Sequence, residues 1–322
     1  MSMKRTHIFG LGAAYGLAMR LAFGLLPFLN PMGRMSANGP MLWAFVVLVP
    51  VLIGIYSVCT KREDVPGFGA MLFSPWVPTL CFVAGTAVLM IEGSICIAMA
   101  LPIFLFFASL GGVLGWVILK VWRPKQGALN SLLLLPLLVG YAETRVPLPQ
   151  EFHRSVASIH IAARPEVVWH FINHATNIRP EEMKGGLAYL IGVPYPLEAV
   201  IQPAADGRRV RKLRWAQNVS FDEPITAWEE NRFIRWTYDF APESFPPGAL
   251  DEHVLIGGKY FDLVDTSYRL TPERHGTRLE IVVNYRVSTH FNWYSAWWGR
   301  VLVDDAAAAI LNFYKRRGEA GA

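Results

Sequence analysis

Charge is scarce in the first half of this 322-residue chain, where residues 1–150 hold ten Lys or Arg and four Asp or Glu. Residues 151–322 hold twenty and twenty-one, the usage of an ordinary soluble domain. The formal net charge of +5 therefore divides into +6 and −1. A basic excess that flanks apolar segments sets membrane topology, which excludes a nucleic-acid partner. Cysteine is also scarce. Cys59, Cys81 and Cys96 all lie in or beside apolar runs, and none follows. The second half thus has no disulfide framework and no CxxC site. Signature motifs are missing as well: there is no Walker loop, HExxH, GxSxG or GxGxxG. No cofactor and no metal site is expected on that ground.

What the first half does contain is apolar sequence. A bilayer core needs about 20 apolar residues in a helix. The pattern predicts spans over His7–Leu29, Met41–Thr60, Pro78–Ala98 and Pro102–Trp122, with a fifth candidate at Ala128–Ala142. The first is too long for a signal-peptide core and no small-residue cleavage site follows, so it reads as retained. The fifth is short: fifteen residues reach about 22 Å against a core of about 30 Å. Small residues at helical spacing, Gly12 with Gly16 and Gly111 with Gly115, suit close helix contact.

Lys and Arg near the span ends give the orientation. With the N-terminus inside, the inner side collects Lys4, Arg5, Lys61, Arg62, Lys120, Arg123 and Lys125, and the outer loops Arg34 alone. If Ala128–Ala142 spans, the second half is extracytoplasmic; otherwise it is cytoplasmic, and the reading favours the former. The expected location is a bacterial inner membrane, multi-pass, with a cytoplasmic N-terminus. Two charges fall inside apolar runs, Arg20 in the first span and Glu92 in the third. An unpaired ion there costs several kcal/mol, so the two are expected to form an intramembrane pair.

After a proline-spaced linker, placed at residues 146–156, the pattern turns to period-two alternation. Ser158–Ala163 reads as a strand, and Arg164-Pro165-Glu166 opens a helix. A short helix is expected within Glu181–Leu190. Strands follow at Leu197–Gln202, Arg209–Trp215, Val219–Phe221, Thr226–Glu229, Phe233–Phe240, Tyr260–Leu270 and Thr277–Ser288, then a helix over Trp293–Arg317. Short turns between strands imply an antiparallel sheet, which one long helix can cover.

The opening IHIAARPEVVWHFI resembles the start of the START-like, or SRPBCC, superfamily, which includes the polyketide cyclases. FDEPITAWEENRFIRWTY (Phe221–Tyr238) is similar to its central strands, and EGSICIAMALP (Glu92–Pro102) resembles the N-terminal part of bacterial SRPBCC membrane proteins. The fold class this implies is multi-domain. A transmembrane bundle of four or five spans (1–145) precedes an α+β helix-grip domain (157–318) with a curved antiparallel sheet around a long C-terminal helix. The resemblance further implies a cavity for a lipid or other hydrophobic small molecule. Large aromatics suit such a lining, and the candidates are Trp169, Trp215, Trp236, Tyr238, Tyr268, Tyr285, Trp297 and Trp298.

For chemistry the candidates are His253, within a proline- and glycine-rich stretch between Phe240 and Tyr260 that reads as a lid, and Asp304 and Asp305, which interrupt an apolar run of the last helix. A buried carboxyl there would have a raised pKa suited to acid–base work. His160, His170 and His174 are scattered. The basic run Arg208, Arg209, Arg211, Lys212 and Arg214 reads as a solvated hairpin edge. The favoured function is membrane-anchored binding or transfer of a lipid or hydrophobic small molecule. The alternatives are a cyclase- or dehydratase-like enzyme and a non-catalytic regulatory module. Ligand identity and oligomeric state stay open.

Overall fold

The computed structural model describes residues 2–25, 41–60, 67–121, 126–183, 185–204 and 207–321. The chain divides into two compact units: Met1–Leu148 with Thr289–Phe291, and Pro149–Ser288 with Asn292–Ala322.

The first unit is helical: α1 (Ser2–Leu25), a π-helical turn (Ala44–Leu48) running into α2 (Val49–Cys59), α3 (Phe68–Phe73), α4 (Trp76–Val88), α5 (Ser94–Val121), α6 (Gln126–Leu132) and α7 (Leu135–Glu143). Two helical stretches, Phe68–Val88 and Ser94–Val121, are long and apolar enough to cross a membrane; Gly10–Leu25, Ala44–Cys59 and Gly127–Glu143 are apolar but shorter. On α5 the large residues Phe106, Leu110, Leu114 and Val117 are exposed, a stripe at helical spacing that suits a lipid surroundings better than water.

Two span boundaries need correction. The expected spans Pro78–Ala98 and Pro102–Trp122 are displaced, because α4 ends at Val88 and α5 runs unbroken through Pro102. The turn falls at Leu89–Gly93, where Met90 adopts φ +52°. Nothing in the apolar run Ala87–Ile91 announces it. Of the residues that set the expected topology, Arg34, Lys61, Arg62, Arg123 and Lys125 lie outside the described residues, as do the side chains of Lys4 and Arg5.

Glycines decide the helix contacts. A Cβ on Gly54 would meet the Ala108 carbonyl oxygen at 2.2 Å, and one on Gly111 the Val51 carbonyl oxygen at 2.0 Å. Hence α2 and α5 touch backbone to backbone, as small residues allow.

The second unit is a single eight-stranded antiparallel sheet in the order β1-β8-β7-β6-β5-β4-β3-β2. The strands are β1 (Glu151–Ile161), β2 (His174–Ala175), β3 (Pro196–Pro203), β4 (Arg209–Trp215), β5 (Ser220–Glu229), β6 (Phe233–Thr237), β7 (Phe261–Glu273) and β8 (Gly276–Val287). Helices α8 (Pro165–Asn173) and α9 (Leu187–Leu190) follow β1 and β2, and α10 (Asn292–Ala320) closes the chain. This is the helix-grip arrangement. On α10 the buried residues Gly299, Val303, Ala307, Leu311, Tyr314 and Gly318 recur every three or four positions, which makes one stripe facing the sheet. A Cβ on Gly318 would sit 3.0 Å from Ile161 Cγ2, so the missing side chain permits that close approach.

β1 corrects the expected linker, since it begins at Glu151 and pairs over its whole length with β8. Its first half has inverted polarity: Phe152 and Val156 point to solvent and Ser155 is buried. Alternation therefore does not reveal it. The expected strands Val219–Phe221 and Thr226–Glu229 merge into one, β5, which begins at Ser220 and has an irregularity in its pairing with β6 between Ile225 and Ala227.

Candidate functional site

Four adjacent strands of the sheet send polar side chains into the domain interior, where α10 meets them. Arg211 on β4 and Glu223 on β5 are direct cross-strand partners. Both are buried, at 4% and 2% exposure. Arg211 Nη1 donates to Glu223 Oε2 at 2.8 Å, and Nη2 donates to the Tyr314 hydroxyl on α10 at 3.0 Å. Arg211 Nε is buried without a hydrogen-bond partner. The guanidinium lies 4.9 Å from the centre of the Trp236 ring and 6.0 Å from that of Tyr268, within cation–π range.

An aromatic shell surrounds this pair. Trp236 and Tyr268 meet edge to face at 5.0 Å, and Tyr268 meets Tyr314 at 5.7 Å. The Tyr238 hydroxyl is 2.7 Å from Thr266 Oγ1. Toward solvent, partly buried Trp215, Tyr238, Phe240 and Phe245 gather round Phe221. The stretch after Phe240 is tied down there: Ser220 N donates to the Ser244 carbonyl at 3.0 Å, and Phe245 stacks on Phe221. Gly257 has φ +76°, and a Cβ on it would meet the Phe240 ring at 2.3 Å; only glycine fits that turn.

Burial governs the electrostatics. It pushes the Glu223 carboxyl up to about 7, against the opposing pull of Arg211. The same desolvation raises the Tyr268 and Tyr238 hydroxyls. Burial would lower Arg211, but Tyr314, Glu223 and Tyr268 outweigh it, so the guanidinium stays charged. A buried cation with one free N–H is a ready donor to a ligand's oxygen. An aromatic shell around it offers apolar area.

The aromatic residues singled out in the sequence are partly brought together here. Trp236, Tyr238 and Tyr268 adjoin Arg211, and Trp215 belongs to the outer aromatic group. Trp169 on α8 packs at 4.8 Å against Trp228. Tyr285 is buried on β8 against His153 and Phe261. Trp297 is 54% exposed and lines no interior; it lies on the solvent side of α10, stacked on Tyr294. Trp298 is half-buried beside it.

The acid–base candidates lie elsewhere. Asp304 is exposed and accepts from the Ser155 hydroxyl. Asp305 accepts from the Ala188 backbone N–H at 2.9 Å, at the start of α9. Both carboxylates therefore tie α10 to neighbouring elements. His253 sits edge to face with Tyr260, 6.2 Å apart. His160 is on the surface, 2.8 Å from Glu273, and exposed His170 and His174 stack on each other. Among the described residues, no group of three His, Cys, Asp or Glu is placed to hold a metal.

Arg211 is a correction, since the basic run containing it reads as a solvated edge. The missed signal is parity. Leu213 and Trp215 are inward positions of β4, and a period of two puts Arg211 on their face. Phe221 does the same for Glu223.

In the first unit Arg20 and Glu92 form an ion pair, with Arg20 Nε donating to Glu92 Oε1. Glu92 is not within a helix but in the turn between α4 and α5, which corrects its expected place inside a span.

No protein-family profile and no curated protein matches the chain. Among solved structures, a Streptomyces aromatase/cyclase is 14% identical, matched over 52% of this chain and 94% of its own, with a TM-score of 0.31. A Thermus thermophilus protein is 16% identical over 53% of this chain and 99% of its own, with a TM-score of 0.34. A Mesorhizobium loti protein is also 16% identical, over 51% and 96%, with a TM-score of 0.30.

Proposed function

We propose that this is a membrane-anchored protein whose helix-grip domain binds a hydrophobic small molecule or lipid, with an oxygen of the ligand engaging Arg211. The observation that carries the reading is Arg211 itself: a buried guanidinium held by Glu223 and Tyr314, with its Nε–H unpaired, inside an aromatic shell. Pockets for apolar ligands combine such a lining with a few polar groups that fix orientation. Anchoring is supported by the two long apolar helices and the outward apolar stripe of α5. A tethered domain meets bilayer-derived ligand at high effective concentration.

The test is mass spectrometry of small molecules released from the detergent-purified full chain. Wild type is expected to release a hydrophobic species that Arg211→Met, with Glu223→Gln to keep charge balance, does not. A folded wild type that releases nothing hydrophobic overturns the reading.

Glu223 favours a second reading, an acid–base enzyme. A carboxyl pushed up to about 7 suits proton transfer at neutral pH. A released species that is chemically altered on incubation with the wild type, and unaltered with Glu223→Gln whose circular dichroism shows it folded, would select it.

A further inference from the structure

The opposite face of the same sheet, away from the core, carries a second constellation. Strands β1, β8, β7 and β6 line a cleft there of about 160 Å³. The strand registers put Arg154 beside Asn284, Arg269 between Phe233 and Glu280, and Arg235 beside Ser267. All of these residues border the cleft. Three guanidiniums from three strands thus line one cleft together with Glu280, and Asp265 stands beside Arg235.

The cations are poorly neutralised. Arg235 reaches Asp265 only at 3.9 Å, and Asp265 is already engaged by the Asn284 amide at 3.0 Å. Among the described residues, neither Arg154 nor Arg269 has a carboxylate within ion-pair distance. Arg269 lies instead over the Phe233 ring, 4.6 Å from its centre, with Arg235 at 5.7 Å from the same ring. Both guanidiniums thus lie over one ring at the rim. Like charges so arranged repel unless an anion sits between them.

We propose that this cleft binds a phosphate ester, with Arg154, Arg235 and Arg269 holding the phosphate oxygens. The fork of donors on each arginine matches phosphate geometry. With Glu280 on its wall and Asp265 beside Arg235, the cleft keeps an excess of one cation. The several oxygens of a phosphate engage three guanidinium forks better than the two of a lone carboxylate. The Ser267 hydroxyl and Asn284 amide supply neutral hydrogen-bonding groups, and Glu280 accepts from a hydroxyl or ammonium on the ester's alcohol. A cleft of about 160 Å³ suits a small group such as glycerol phosphate. That chemistry occurs both in soluble phosphate esters and in phospholipid headgroups. The site is separate from the interior around Arg211 and stands whether or not a ligand binds there.

Isothermal titration of the detergent-solubilised full chain tests it, with three probes: inorganic phosphate, sn-glycerol 3-phosphate, and dihexanoyl phosphatidylglycerol below its micelle concentration. At least one ester is expected to bind. Arg154→Gln/Arg269→Gln should weaken it tenfold or more. Arg164→Gln/Arg274→Gln, which removes two exposed charges outside the cleft, should change it less than twofold. Equal binding of both esters assigns a soluble phosphate ester, and binding of the lipid alone assigns a headgroup. Either is a form of the proposal. It is overturned if no ester binds, if inorganic phosphate alone binds, or if both double variants lose binding equally. Arg154 and Arg269 are exposed, so circular dichroism should be unchanged in every variant.

Discussion

Arg211 and Glu223 face each other across β4 and β5, joined at 2.8 Å in an interior that almost no water reaches. Removing one member leaves an uncompensated buried charge, which costs about 3–5 kcal/mol. Arg211→Met alone should therefore destabilise the domain strongly. Arg211→Met with Glu223→Gln should recover a large part of the loss. A double-mutant cycle from thermal unfolding measures the coupling, and additive effects would sink the idea that the pair acts as a unit.

In the helical unit, Gly111→Ala should be severe. Its new methyl would collide with the Val51 carbonyl, part of the α2 backbone, so α2 and α5 must separate. Gly69→Ala meets nothing within 4 Å and should be neutral or mildly stabilising. The yield and melting temperature of detergent-solubilised protein separate the two outcomes.

Acid should loosen the grip of α10. Arg317, hydrogen-bonded to Glu182, holds that carboxyl down to about 2. A depressed folded-state pKa contributes stability that is present above the ordinary value of 4.5 and lost as pH falls toward 2. After solvent screening the contribution is about 1 kcal/mol. Glu182→Gln should lower the melting temperature at pH 7, and the gap from wild type should shrink toward pH 2.

Gly257→Ala should unseat the stretch after Phe240, because the methyl would enter the Phe240 ring and φ +76° disfavours any side chain. Faster proteolytic nicking between residues 241 and 257, with the sheet intact, is the expected readout. Unchanged cleavage would show that this stretch does not depend on Phe240.

Orientation is open to a direct measurement. A reporter fused after Pro149 should be active on the extracytoplasmic side if the α6–α7 segment crosses the bilayer. Cytoplasmic activity would show that it does not.

Much of the second unit is readable from the residues. Arg209–Trp215 is a strand in both descriptions, and Pro165 marks the start of α8, because alternation and proline placement act locally. β1 fails this reading in its first half because an edge strand pairs through its backbone, and its side chains need not alternate in the expected sense. The turn at Met90 is equally silent, since helix and turn there share apolar residues.

The sequence by itself determined the division into an apolar half and a charge-rich half, the strand-rich order of the latter and its closing helix. These follow from hydropathy and periodicity, properties of neighbouring residues. Tertiary structure alone decided what the charges do. One arginine of a basic run turns inward onto Glu223, while three from β1, β6 and β7 share a cleft on the other face. Both Asp304 and Asp305 hold α10 to its neighbours and face no site. A charged residue's role depends on which carboxylate, ring or carbonyl the fold brings within a few ångströms, and those partners lie twelve to 149 residues away.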